Sequence, residues 1–458
     1  MIPNNMVKTI LMWPRFILAP YFRLSLFIPL AIGHVAATAI HAQEIVEVSG
    51  QDRYIDPDFE EVYRLGALEG DSWEMFSMVQ KVGFDEQGNL YVFDDAGSRL
   101  SPDLRILVFD ASGAFVHEFG TRGEGPGEFM KPNGYAVARD GTTIVRDGGR
   151  FVYHLFDASG RFKRMVRNRT GTIESGGGGD AVTIEATAVM PIVADPRGEA
   201  VFTITGEATI NIQGSNGTPA NLRTIDRHAL AGNQAQIETV AETWRPPRAN
   251  ESENEQDIVS FSKPSIFEPR LLYDLLPDGQ IVYSDSSAYA LSIASAEQGD
   301  ILRTITRPFR PKLVTPRIEK EYTRRKEARD AKGKKRTRSG LRTSLSVRGK
   351  GVGQNPALVE AMLGMEEDDK TFYNEIPVVE RLQTTWEGRI WVQRRAEEFF
   401  EDGPMDVLAA DGEYVGTYRA GATALPDAFG PNGLTAFIEY GDRDVARIVV
   451  RRLPEAVR

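Results

Sequence analysis

Apolar and polar residues alternate with a period of two along much of this chain. Short clusters of Asp, Asn and Gly cut the alternation at regular intervals. The segment "VGFDEQGNLYVFDD" (82–95) is echoed by "YAVARDGTTIVRDG" (135–148). Gly88 and Gly141 are 53 positions apart, and so are Asp94 and Asp147. Downstream, "ILVFDASGAFVHEFG" (106–120) is echoed by "VYHLFDASGRFKRMV" (152–166). A period of two predicts half-buried strands. Asp and Gly before β-branched or aromatic residues predict hairpins, because glycine accepts the positive φ that such turns demand.

Each unit therefore carries two hairpins, turning at Gly88 and Gly113 in the first copy and at Gly141 and Gly160 in the second. Two linked hairpins make a four-stranded antiparallel meander, and a meander in tandem is the sequence form of a β-propeller blade. Fainter copies follow at 192–204, at 275–305 with its turn at Gly279, and at 380–393 with 405–418. The third unit, with its "SGGGGD" and "GSNGTP" loops, does not show all four strands. The tail, 435–440 and 445–453, holds only part of a sixth unit. "EIVEV" (44–48) is expected to supply the missing strand, closing the ring without a free sheet edge.

"FGTRGEGPGEFMKPNGYAV" (119–137) links the first two units. It has no Gly-Lys-Ser/Thr ending, its glycines lack the dinucleotide spacing, and Glu124 and Glu128 would repel a phosphate. Gly125 and Gly127, with Pro126 and Pro132, read instead as a sharp connection from one blade to the next. This stretch, the hairpin after it and "FDASGRF" resemble NHL-type six-bladed propellers, and more narrowly the exported bacterial six-bladed propellers, few of which have an assigned function. The resemblance is sharpest over 80–166. It implies an all-β fold over 43–458: a six-bladed β-propeller of four-stranded antiparallel blades, with a helical insertion between blades four and five.

Lys8, Arg15 and Arg23 precede a mostly apolar run, 24–39, and Ala42 offers a small residue for cleavage. This order predicts a signal peptide over 1–42, a periplasmic or secreted protein, and no transmembrane span in the mature chain. Cysteine is absent, which excludes disulfides, thiolate metal sites and a lipid-bearing cysteine. The net charge of −11 argues against general nucleic-acid binding.

Residues 308–375 break the blade pattern. Thr315-Pro316 reads as the cap and first turn of a polar helix over 316–331, and Asn355-Pro356 begins a second that ends near Gly364. Across 317–350 there are 14 Lys and Arg against four acids. Arg324, Arg325, Lys334, Lys335, Arg336 and Arg338 form the candidate patch for an anionic partner, whether a protein, a glycan or another polyanion. With so polar a first helix, the segment is expected to be peripheral to folding.

His117, His154 and His228 fall in different units, with no HExxH pair and no GxSxG elbow, so zinc or triad chemistry has little support. Asp94, Asp147 and Asp285 recur at one repeat position, which favours turn capping over metal binding. Gluconolactonase-type propellers hold calcium in their axial channel, and Asn133 is placed to face such a channel, but no co-ligands assemble around it in the sequence. The reading is therefore a binding or scaffolding protein rather than an enzyme. The alternative is a calcium-type hydrolase or lactonase with an axial site, the only reading that calls for a cofactor.

Overall fold

Each sequence unit folds as a radial sheet, and six such sheets close into a β-propeller. The computed structural model describes residues 44–97, 102–168, 172–174, 183–188, 191–207, 209–212, 222–248, 259–262, 264–297, 299–331, 345–348, 371–441 and 445–458. The expected signal peptide, the second predicted helix and Lys334, Lys335, Arg336 and Arg338 lie outside these residues. Blades 1 to 5 span 79–119, 132–167, 193–244, 272–306 and 379–418. Blade 6 spans 428–452 and takes its outermost strand, Glu60–Leu65, from near the N-terminus.

Local chemistry sets the hairpins. Asp110 Oδ1 accepts hydrogen bonds from the backbone N–H groups of Ser112 (2.9 Å) and Ala114 (3.0 Å), and Asp157 does the same for Ser159 and Arg161. Gly113 and Gly160 complete these turns at φ of 86° and 76°, which a β-carbon would disfavour.

The second and third strands of the clearest blades are buried on both faces, because each face meets a neighbouring blade. Along Leu90–Asp95, Leu90 and Val92 pack with Leu434, Ile448 and Val450 of blade 6. Tyr91 and Phe93 pack with Val145 and Phe156 of blade 2. Six apolar cores result, one at each interface between blades. Burying one such side chain contributes about 1.5–3 kcal/mol, so the interfaces dominate stability.

Closure differs from the sequence expectation. Residues 44–48 do not complete blade 6; Glu60–Leu65 does, antiparallel to Ala446–Arg452. Glu44–Glu47 instead adds a fifth, parallel strand outside blade 4, and Tyr54–Ile55 adds one outside blade 5. The segment between is tied by Asp52, which takes Arg307 at 3.1 Å and Arg394 at 2.7 Å. The N-terminal chain is thus a strap along the rim of three successive blades, covering their outer edges.

The two faces of the disc differ. Antiparallel order puts the two hairpin turns of blades 1 to 5, and the first turn of blade 6, on one face. The link between second and third strands, and the crossing to the next blade, fall on the other. The excursions all belong to this crossing face. Thr172–Glu174, Thr183–Ala188 and Leu345–Arg348 form a separate three-stranded sheet, and Thr209–Ile212 pairs with Val259–Ser262. These insertions explain why the third unit was hard to read: its second and third strands, Ala200–Thr205 and Leu222–Ala229, are separated by one of them.

Helix α1 (Pro316–Ala331) begins where the sequence predicts, with Ile318 N donating to Thr315 Oγ1 at 3.4 Å. It is anchored more firmly than its polar sequence suggests. The Tyr322 ring sits among Phe267, Phe372, Phe399 and Phe400, with centroids 5.0–5.8 Å away. Arg329 lies over Phe400 at 4.4 Å. Phe267 and Phe400 both have positive φ, 68° and 70°, a costly conformation for phenylalanine that the packed cluster must hold in place.

Candidate functional site

Inner strands of several blades carry polar side chains to the axis of the propeller. The inner strands of blades 1, 2 and 5, Val79–Phe84, Pro132–Val137 and Val379–Thr384, each carry an irregularity after their first residue. The extra residue is polar every time: Gln80, Asn133 and Glu380. Such bulges re-aim side chains at the ends of strands.

Lys81 follows the first bulge. Its Nζ crosses to blade 2, donating to Tyr135 O at 2.8 Å, and reaches Ile192 O, at the start of blade 3, at 3.0 Å. From blade 4, Tyr273 Oη donates to Pro191 O at 3.2 Å and Phe202 O at 3.0 Å. Asp274 accepts from Thr384 N of blade 5 at 2.7 Å and from its neighbour Leu275 N at 2.9 Å. These side chains lie deep in the protein yet keep accessible surface, as residues lining a solvent-filled channel do.

Enclosure sets the electrostatics. Loss of water pushes the Lys81 ammonium down to about 8, with the Asp274 charge acting against the shift. Burial raises the Asp274 carboxyl, while hydrogen bonds from Thr384 and Leu275 and the Lys81 charge act against it. Arg146, buried on the second strand of blade 2, donates through Nε to Asn133 Oδ1 at 3.1 Å. Its charge reaches Tyr135, Tyr153 and Tyr273, whose phenols burial holds well above their ordinary range. Tyr153 Oη in turn meets His228 Nδ1 at 2.9 Å. Burial, with Arg146 beside it, lowers the His228 imidazole to about 4. Among the described residues no three carboxylate or imidazole groups converge as a metal set.

The residues singled out in the sequence are distributed differently. Arg324 and Arg325 stand on α1, and both pair with Glu321, at 2.7 and 2.5 Å; Arg325 also pairs with Glu398. Asp94 takes Met78 N at 2.7 Å and Ser77 N at 2.9 Å, and Asp147 takes Met130 N at 2.8 Å and Lys131 N at 2.9 Å. Each fixes the crossing into its own blade. Asp285 accepts from Trp244 N at 3.1 Å, at the end of blade 3. Gly88, Gly141 and Gly279 sit in hairpin turns, Gly127 has φ 83°, and Gly125 N donates to Glu128 Oε2 at 2.7 Å. Sequence reasoning missed Lys81, Tyr135, Tyr273 and Asp274. A lysine followed by the apolar Val82 and Phe84 in an inner strand was the available signal.

A family profile described as 6-bladed beta-propeller matches residues 67–168. No curated protein matches the chain significantly. Among solved structures, an exported protein from Bacteroides fragilis is similar at 10% identity and TM-score 0.45, covering 90% of this chain and 100% of its own. A member of the duf4221 family from Bacteroides vulgatus is similar at 10% identity and TM-score 0.43, covering 87% and 99%.

Proposed function

We propose that this chain is an exported β-propeller that works as a binding protein, with its site in the axial channel. The observation that carries this reading is Lys81, an ammonium held deep in the channel on two neutral carbonyls, ringed by Tyr135, Tyr273 and Asp274. Isolated buried charge is costly, and structural cross-links between blades do not require it. Insertions gathered on one face of the disc fit a binding role, because loops on a rigid scaffold commonly carry function.

Export rests on the order of charged, apolar and small residues in 1–42. Binding of an anionic partner to the arm beyond α1 rests on the charge of 317–350. The hydrolase alternative gains no support from the channel. A thermal-shift screen of small polar molecules tests the channel reading, since a ligand of the native state raises its stability. Stabilisation by a compound in wild type that is lost in Lys81→Met supports it. Stabilisers that act equally on wild type, Lys81→Met and Tyr273→Phe would place the site elsewhere.

A further inference from the structure

We infer that the channel site takes a small oxyanion, a compact carboxylate-bearing molecule whose charged end meets Lys81 while its body lies among the tyrosines. This deepens the binding reading above and rests on it. Three observations carry it.

The first is the balance of charge. The chain as a whole has net charge −11, yet an inner strand brings Lys81 to the channel, and Arg146 acts on the same tyrosines from the strand behind. Against them stand Asp274 and Glu380, and Glu380 is taken by Arg395 at 3.1 Å. Asp226 acts on Tyr273 from the same side, but an ammonium and a guanidinium gathered inside an acidic body still attract small anions locally, because low-dielectric walls focus the field.

The second is the valence of Lys81. An ammonium has three N–H donors. Two go to Tyr135 O and Ile192 O, both neutral acceptors, which leaves a third donor for a ligand. A carboxylate or phosphate oxygen there would form a charge-assisted bond, about twice as strong as a neutral one.

The third is the lining. Tyr135 and Tyr273 stand beside the cations with part of their surface exposed, and their hydroxyl protons are already taken by backbone carbonyls, so they offer ring surface rather than donors. Such a wall suits a compact organic acid better than a bulky polyanion.

The test titrates wild type at low ionic strength with benzoate, succinate and inorganic phosphate, and separately with benzamide and succinamide. Benzoate or succinate is expected to bind, with the matching amide at least tenfold weaker. Lys81→Met is expected to weaken the acid about tenfold or more, and Lys81→Arg to retain part of the affinity. Tight phosphate binding with no carboxylate binding would identify inorganic phosphate as the source and overturn the organic acid. Equal binding of acid and amide, still dependent on Lys81, would overturn the oxyanion and leave the channel reading intact. Binding unaffected by Lys81→Met, or no binding of any anion, would overturn the inference.

If Lys81→Met does not fold, wild type still reports. An anion beside Lys81 favours its charged form, so binding near pH 8 should take up a fraction of a proton. Calorimetry in buffers of different ionisation enthalpy measures that uptake, and zero uptake overturns the inference.

Discussion

Lys81 and Tyr273 hold adjacent carbonyls. Lys81 Nζ takes Ile192 O at 3.0 Å, and Tyr273 Oη takes Pro191 O at 3.2 Å. The two side chains come from blades 1 and 4, so the short segment leading into blade 3 is gripped from both sides. Tyr273→Phe removes one hydroxyl proton shared between two carbonyls but leaves the ring in place. Its carbonyl partners can turn to channel water, so the expected loss is about 1 kcal/mol, read as a lower urea midpoint with unchanged slope. A loss above about 3 kcal/mol would mean that these carbonyls have no access to water.

Ring closure gives a sharper test. A chain that starts at residue 57 keeps Glu60–Leu65 and loses the rest of the strap. It should fold cooperatively, with a lowered melting temperature, because Arg307 and Arg394 lose Asp52. A chain that starts at residue 68 leaves Ala446–Arg452 as a bare edge, and it should aggregate or fail to fold. Gel filtration and urea unfolding compare the two. Equal stability would refute closure by Glu60–Leu65.

Two buried histidines predict a pH window. Burial lowers His154 and His228 to about 4 in the folded chain, whereas an unfolded imidazole takes its proton near 6.5. Between those values the unfolded state binds more protons, so stability falls as the pH falls from about 6.5 to 4. Each histidine contributes up to about 3 kcal/mol to that fall. The raised carboxyls of Asp226 and Asp274 act in the opposite direction, so the comparison is between proteins rather than absolute. A His154→Gln, His228→Gln double variant should show a shallower dependence of unfolding free energy on pH across this window. An unchanged dependence would show that neither imidazole is kept neutral.

Tyr322→Ala should release α1 and little else. The ring fills a socket of four phenylalanines on an added element, away from the six cores between blades. Trypsin should cut between 317 and 329 several-fold faster, while the main unfolding transition moves by only a few degrees. Global unfolding at low temperature would show instead that the socket supports blades 4 and 5.

The hairpins were legible in the sequence because their chemistry is local. An Asp that caps its own turn and a Gly at positive φ act within five residues. The closing strand was not. "EIVEV" reads as a better strand than "EEVYRL", and nothing local sets them apart. Pairing does: Glu60 and Glu61 stand opposite Arg452 and Arg451, a complementarity visible only once the two segments are aligned. The channel was illegible for a related reason. Lys81, Tyr273 and Asp274 are ordinary strand residues until the ring brings blades 1 and 4 to adjacent carbonyls. The anchor of α1 was missed because one tyrosine leaves no apolar stripe.

The strap also orders events in time. The ribosome delivers 44–65 before any of the strands it joins. Its partners are Ile301–Thr306, Tyr414–Tyr418 and Ala446–Arg452, made in the later part of the chain, the closing strand last of all. The earliest segment must therefore wait, unpaired, through nearly the whole of synthesis. Until residue 452 has emerged, no arrangement of the first five blades can shut the circle. Contacts of such long sequence separation are slow to form, because loop closure must precede any gain from pairing. A chain delayed in this way stays open and extended for longest, the state in which a polypeptide can still be threaded through a narrow pore.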